Sequence, residues 1–360
     1  MSGRARSEPS PMDKPSPTAR ARAAKRAGRG AVTLSDVAAA AEVAPITVSR
    51  AINRPESVSD ALRARIRAAI DTLGYVPNRM AGALASAKTG VIPVIVPSLS
   101  NVVFVEVIEG IQETIETRGY QMLLGSTDYD LDREAALAAT LLGWAPPGML
   151  IAGLRHLPRT ATLLRNAGVP VVEFMEHGAR CIDMNVGLSH YRAGAAMAEH
   201  LLTRGYRRIG FVGVRVRDDY RACQRYEGMH RRILEVGGAE DVLFDYSGGV
   251  GQDIGWRALG DVLAMRPVID ALFFANDEMA VGAILRAQRD GIAVPGRIAI
   301  AGFNGLPMSA LVTPALTTII SPRKLIGRRA AELLLARIAG ERPARRRFDV
   351  GFRLEVREST

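Results

Sequence analysis

The strongest constraint on this chain is a three-residue turn, Glu42-Val43-Ala44, set between two short helical patterns. Ahead of it, Thr33 or Ser35 is placed to cap a helix, with Asp36 in the opening turn, where the helix dipole favours an anion. Leu34, Val37, Ala38 and Ala41 recur at helical spacing and form one apolar face. Behind the turn, Pro45 opens a second helix at the position where its missing N–H loses no bond. Val48 and Ile52 turn inward, which leaves Ile46, Thr47, Ser49, Arg50 and Asn53 outside. Ser59 caps a third helix, with Leu62, Ile66, Ala69, Ile70 and Leu73 inward and Arg63, Arg65 and Arg67 outward. Two short helices about a tight turn, closed by a third, form a helix-turn-helix unit whose second helix fits a DNA major groove. A plain three-helix bundle is the alternative. Against it, Arg50 stands among small hydroxyl residues on one face, and basic segments flank the unit on both sides.

Thr33–Val37, Ile46–Asn53 and Tyr75-Val-Pro-Asn-Arg-Met-Ala resemble the head of a LacI/GalR-family transcription regulator. The likeness joins a helix-turn-helix to a Tyr-x-Pro-Asn-x-x-Ala hinge at the right separation, and it continues through all but the first thirty or so residues. It implies a helix-turn-helix domain over residues 31–77, a hinge helix and linker over 78–89, and a ligand-binding and dimerisation domain over 90–360. It also implies DNA contacts from Thr33, Pro45, Ile46, Thr47, Ser49, Arg50 and Asn53, and from Asn78, Arg79, Ala81 and Leu84 in the hinge. Arginine to guanine is the commonest base contact, and Ile46 suits a thymine methyl. Pro45 touches only the backbone or nothing. In the family the hinge helix orders when two subunits meet on DNA, and a leucine at the place of Leu84 wedges into the minor groove, a contact that kinks the duplex. The residues themselves agree: two turns of helix are marginal alone, and Gly82 weakens them further and softens the hinge. A plain linker is the rival reading of this stretch.

A net charge of +10 and a pI near 10.1 point to a polyanionic partner without separating nucleic acid from membrane. Residues 1–30 are rich in Arg, Pro, Ser and Ala, with too little apolar surface to fold alone. Their Arg20, Arg22, Lys25, Arg26 and Arg29 suit phosphates without sequence preference; a solvated tail or an overlong start of translation explains them equally well. Two cysteines, Cys181 and Cys223, make no disulfide framework and fit a reducing compartment. Neither a spanning segment nor a secretion signal is evident, so the expectation is a cytoplasmic, nucleoid-associated protein with no membrane partner.

From Gly90 the pattern changes to alternating strands and helices. Strands are expected at Val91–Pro97, Gln121–Gly125, Gly148–Ala152 and Val169–Phe174, with helices at Phe104–Arg118, Asp132–Leu142 and Thr160–Ala167. After His190 a second series has helices at Tyr191–Arg204, Tyr220–Val236, Trp256–Met265 and Asp277–Arg289, and strands at Arg208–Val212, Ala271–Ala275 and Ile298–Phe303. Such alternation means parallel sheets covered on both faces, and two in tandem leave a cleft at the carboxyl ends of their strands. The resemblance implies the periplasmic-binding-protein-like effector domain of the same family. It puts an N-lobe at about 90–188 and 321–348 and a C-lobe at about 189–320 and 349–360, with crossings near Ser189, Ser321 and Phe348.

Candidate ligand residues lie at strand ends: Ser98, Asn101 and Phe104 after the first strand, Arg225 at the start of a helix, and Asn276 and Asn304 after two later strands. The resemblance implies that these face the effector. A guanidinium grips a carboxylate by two parallel bonds, and amides both donate to and accept from hydroxyls. Turn capping is the rival role for Asn276 and Asn304, and a surface ion pair for Arg225. Pro97–Phe104, Gly168–Met175, Arg180–Gly187 and Ile300–Gly305 are similar to gluconate-utilisation repressors of the family. Glu173 and Cys181 belong to that likeness; Glu173 accepts bonds from ligand hydroxyls or pairs with an arginine, and the sequence favours neither.

No Ser-His-Asp grouping, phosphate-cradling loop with lysine or metal-spaced His/Cys cluster speaks for an enzyme. Gly248-Gly-Val-Gly is a lone glycine cluster, and His156, His177, His190, His200 and His230 lack ligand spacing and read as surface histidines. A sugar-transport binding protein would lack the helix-turn-helix, and a chromatin-packaging protein would need no ligand domain. The expectation is therefore a homodimeric repressor with no cofactor and no metal, bound to double-stranded operator DNA and released by gluconate or a related sugar acid. Ketogluconate, idonate, a neutral sugar or a purine are the alternative effectors. Arg345–Thr360 shows no heptad seam for a tetramer-forming helix.

Overall fold

A computed structural model describes residues 32–75, 90–249, 251–265 and 268–360. The basic tail and the hinge, with Asn78, Arg79, Ala81 and Leu84, lie outside the described residues. The chain divides into two compact units, one up to residue 85 and one from 86 onward, and each is described by itself.

The first unit holds α1 (Leu34–Ala40), α2 (Pro45–Asn53) and α3 (Asp60–Leu73). Thr33 caps α1 in a reciprocal box with Asp36: the Asp36 N–H donates to Thr33 Oγ1 at 3.3 Å, and the Thr33 N–H donates to Asp36 Oδ2 at 2.8 Å. Glu42 turns the chain at a positive φ of 52°. Pro45 is the first residue of α2. Val37, Ala38, Ala41, Val48, Ala51, Ile66 and Tyr75 form the core, and α3 ends on Gly74 in the left-handed region. Ser59 stands at the start of α3 but makes no side-chain cap bond.

The second unit has two six-stranded sheets. The N-lobe contains β1 (Val91–Val96), α4 (Val105–Glu116), β2 (Gln121–Ser126), α5 (Leu131–Leu142), β3 (Met149–Ala152), α6 (Pro158–Arg165), β4 (Val171–Glu176) and β5 (Met184–Leu188). The C-lobe contains α7 (His190–Thr203), β6 (Arg208–Val214), α8 (Tyr220–Val236), β7 (Glu240–Tyr246), α9 (Gln252–Ala264), β8 (Ala271–Phe274), α10 (Asp277–Arg289), β9 (Ala299–Asn304) and β10 (Thr317–Ile320). The chain then returns to the N-lobe with α11 (Arg323–Ile338) and β11 (Arg347–Asp349), and ends in the C-lobe with β12 (Arg353–Glu355). Strand order is β11-β5-β4-β3-β1-β2 in one sheet and β12-β10-β9-β8-β6-β7 in the other. All pairings are parallel except that of β10 with β12. The chain thus passes between sheets after Leu188, after Ile320 and between Asp349 and Arg353.

Strands such as Val91–Val96 and Ala271–Phe274 are apolar runs because both faces are covered by helices. Periodicity announces neither β5, β7, β10, β11 and β12 nor α11, and it starts α9 late, at Trp256 rather than Gln252. The late strands are short or half polar, and the glycine at position 255 interrupts the helical signal of α9. No described helix is long and apolar enough to cross a membrane.

Candidate functional site

In the head, α2 carries its apolar residue Val48 into the core and leaves Ile46 62% exposed, with Arg50 exposed beside it. Thr47 and Ser49 are half-buried, and Pro45 is exposed. Asn53 closes the helix. No side chain caps the start of α2; Pro45 has no N–H and the Thr47 N–H donates to the Ala44 carbonyl at 2.9 Å, which leaves the positive end of the dipole to a phosphate. Thr33 is exposed, and its hydroxyl is already bonded to Asp36 at 2.7 Å.

In the second unit, a cavity of 580 Å³ lies between the lobes, within the range of small-molecule sites. Ser98, Asn101, Phe104, Arg225, Asn276 and Asn304 all line it. Asn101 Nδ2 donates to the Tyr129 hydroxyl at 2.9 Å, while its Oδ1 accepts the Val103 N–H at 3.2 Å. Asn276 caps α10, accepting the Met279 N–H at 2.9 Å, so capping and cleft lining fall on one residue. Asn304 ends β9 at a positive φ of 114°, and its carbonyl accepts from the Arg323 guanidinium.

Arg225 is 6% exposed. Its Nη1 lies 2.9 Å from His190 Nδ1, its Nη2 donates to the Ala275 carbonyl at 3.0 Å, and its Cζ sits 4.2 Å above the Phe303 ring. Its Nε has no hydrogen-bond partner, and among the described residues no carboxylate pairs with it. Burial pulls the guanidinium down to about 10, against the charge of Asp219 and with that of Arg221. Burial, then the two arginines, holds His190 well below the usual histidine range, so its neutral Nδ1 accepts from Arg225. The surface ion-pair reading of Arg225 therefore gives way to a buried cation facing a cavity. A close helix crossing fixes its place: a methyl group at Gly194 on α7 would overlap the Arg225 carbonyl oxygen, and one at Gly228 would overlap that of Tyr191.

Four residues of the cleft escape the sequence reading. Arg221, one turn before Arg225 on α8, pairs with Glu176 at 3.2 Å from one lobe to the other, with side chains 12% and 5% exposed. Glu176 also accepts the Leu154 N–H at 2.9 Å; burial raises its pKa, and Arg221 opposes that rise. Tyr129 and Glu134 line the same wall as Asn101. The Arg-x-x-x-Arg spacing on one helix face was the available signal for Arg221.

Glu173 requires a correction. It does not line the cavity: its Oε2 accepts the Ile182 N–H and its Oε1 lies 3.3 Å from His156 Nε2, with 1% of the side chain exposed. The cleft lies at the carboxyl ends of the strands, where Met175 and Glu176 of β4 line it; Glu173 lies in the middle of that strand, and its partner is a histidine, not an arginine. The surface reading of the histidines fails in the same place, because the His156 side chain is 2% exposed and His190 is 5% exposed. No group of described His, Cys, Asp or Glu residues is arranged to hold a metal.

Residues 33–78 match the model described as bacterial regulatory proteins, lacI family, and residues 198–360 match the periplasmic binding protein-like domain. The chain is 40% identical to the HTH-type transcriptional regulator GntR of Pseudomonas aeruginosa, over 92% of this chain and 96% of that protein. It is 37% identical to the HTH-type transcriptional regulator GntR of Escherichia coli strain K12, over 89% and 96%. A solved LacI-family transcriptional regulator from Silicibacter pomeroyi superimposes with a TM-score of 0.86 at 40% identity, covering 91% of this chain and 99% of that one.

Proposed function

The chain belongs to the lacI family of bacterial regulatory proteins, and from that premise we propose that it represses a sugar-acid utilisation operon and leaves its operator when gluconate enters the cleft. It is a DNA-binding regulator and not an enzyme. The observation that carries the ligand class is Arg225, a buried cation that faces a cavity without a carboxylate of its own. A buried charge left unpaired is costly, so the occupant that suits it best supplies the anion. The neutral amides Asn276 and Asn304 suit hydroxyls on the same molecule. Relatives named GntR support gluconate as the first candidate, and we rank ketogluconate and idonate, which share its carboxylate and hydroxyls, next.

Two copies acting together would present two α2 helices to the halves of a near-palindromic operator, in the cytoplasm where the DNA is. A ligand touching both lobes stabilises one lobe arrangement over others, and the linked loss of operator affinity is a coupling between two sites. Gluconate and glucose should be titrated calorimetrically into the wild-type chain and an Arg225→Ala variant, with operator release followed by gel shift. Gluconate should bind more tightly than glucose, and the variant should lose about a hundredfold in gluconate affinity and stay on the operator at concentrations that release the wild type. Tighter binding of glucose, ribose or a purine than of any sugar acid would overturn the ligand reading.

A further inference from the structure

Outside the guanidinium end of the cleft, three titratable side chains are buried together. Glu134 lies in the first turn of α5, where the helix dipole favours a carboxylate, and it lines the cavity from the N-lobe. Its Oε1 is 2.7 Å from His156 Nδ1, and His156 Nε2 is 3.3 Å from Glu173 Oε1. The three side chains are 7%, 2% and 1% exposed. Glu173 is itself fixed by the Ile182 N–H. The imidazole ring is thus hydrogen-bonded to Glu134 at Nδ1 and faces the Glu173 carboxylate at ion-pair distance from Nε2, and it anchors Glu134 through Oε1. Among the described residues nothing bonds to Glu134 Oε2, which makes it the acceptor this residue offers the cavity.

The charges along this wall give it a polarity. Two carboxylates against one imidazolium leave this triad net negative, while Arg225 puts a positive charge on the C-lobe side. A ligand's anionic end is therefore repelled from Glu134, and a hydroxyl is welcomed there. A carboxylate accepts hydroxyl hydrogens through charge-assisted bonds, about twice as strong as neutral ones.

We propose that Glu134 is a specificity residue of the cleft: its Oε2 accepts a hydroxyl hydrogen of a polyhydroxy ligand whose anionic end lies at Arg225. His156 and Glu173 are positioning residues that act through Glu134. The identity of the ligand rests on the sugar-acid reading; the role of Glu134 requires only a polyol. Replacing Glu134 by glutamine would keep the bond to His156 and turn an amide N–H₂ toward the cavity, so the charged acceptor becomes a neutral donor.

The experiment is calorimetric titration of gluconate and its 3-, 4-, 5- and 6-deoxy analogues into the full-length wild-type chain and into Glu134→Gln, Glu134→Asp and Glu173→Gln variants. The circular dichroism spectrum of each variant serves as the folding control. Wild type should bind one analogue about tenfold more weakly than gluconate. Glu134→Gln should bind gluconate about tenfold more weakly and no longer distinguish that analogue. Glu173→Gln should lose part of the same discrimination. Glu134→Asp, which withdraws the carboxylate, decides the matter in the same way where the glutamine variant fails to fold. Unchanged discrimination by a folded Glu134 variant, or equal weakening towards every analogue, overturns the assignment. If wild type prefers glucose to gluconate, the sugar-acid reading fails, and the same comparison with glucose and its deoxy analogues still decides the role of Glu134.

Discussion

Arg225 and His156 are both buried cations of the effector unit, one in each lobe, and their surroundings are opposite. His156 sits between two carboxylates at 2.7 and 3.3 Å. Arg225 has a neutral histidine, a carbonyl oxygen and an aromatic face, but no carboxylate in contact among the described residues. Burial lowers both, yet the hydrogen bond to Glu134 and the nearby Glu173 carboxylate carry His156 up to about 9, while Arg225 falls to about 10. One lobe satisfies its charge internally and has an acceptor left over. The other leaves its charge to be satisfied from the cavity. The difference teaches that a binding site is legible as an imbalance: the group to watch is the one whose counterpart the chain does not supply.

The largest expected effect breaks this symmetry on the ligand-free protein. His156→Met leaves two buried carboxylates without their cation and should destabilise the effector unit by about 3–5 kcal/mol. Arg225→Met removes a cation with no carboxylate partner, so the free unit should be unchanged or more stable by about 1–4 kcal/mol. Urea denaturation followed by circular dichroism measures both. Equal destabilisation by the two would show that Arg225 is paired as well as His156 and would remove the imbalance.

The head and the cleft differ in how far the sequence discloses them. Thr33, Asp36, the turn at Glu42–Ala44 and Pro45 act on neighbours a few residues away, so α1 to α3 can be read from local rules. Asp277–Arg289 is legible for the same reason, since Asn276 caps it. The cleft is held by contacts that span the chain. His156 meets Glu134 across 22 residues, and His190 meets Arg225 across 35. Neither pairing leaves a mark in periodicity, which is why both histidines read as surface. The apolar run of β4 marks a buried strand but not where along it the cavity begins; Met175 and Glu176 at its carboxyl end line the cleft, and Glu173 falls short of it. Arg225, Asn276 and Asn304 came from the family likeness rather than from spacing.

A smaller effect sharpens the comparison through pH. A histidine whose folded pKa is raised from 6.5 to about 9 binds its proton more tightly folded than unfolded. The stability it contributes is complete below pH 6.5 and is lost as pH rises through about 9. His190, lowered by burial and by Arg225 and Arg221, acts in the opposite sense and only below its unfolded value. Above pH 6.5 the His190 contribution no longer changes, and the loss that runs up to about 9 is that of His156. Wild-type stability should fall there by about 1–3 kcal/mol, and His156→Gln should flatten the slope. A wild-type unfolding free energy that rose with pH across this window would contradict the paired arrangement.

The smallest effect extends the comparison to a buried anion. Asp277, the first residue of α10, is fully buried and is satisfied largely by neutral donors: Thr318 Oγ1 at 2.6 Å and the Leu306 N–H at 2.7 Å. Burial raises it to about 6, against those two bonds and the charge of Arg323. Its folded pKa exceeds its unfolded value, so its stabilising contribution is complete below pH 3.8 and is lost as pH rises through about 6. Above that the carboxylate is charged and depends on its donors. Thr318→Val removes one of them and should cost about 1–2 kcal/mol at pH 7.5, where the charge is present. At pH 5 the carboxyl is mostly protonated and needs less, so the loss should be smaller. Denaturant melts of wild type and variant at the two pH values make the measurement, and an equal loss at both would mean that Thr318 acts by packing alone. The same bonds tie α10, which carries the cleft amide Asn276 at its cap, to β10 and to the turn after Asn304. A variant that loosens them should therefore also weaken gluconate binding slightly at pH 7.5 and less at pH 5, which connects the charge on Asp277 to the geometry of the cleft.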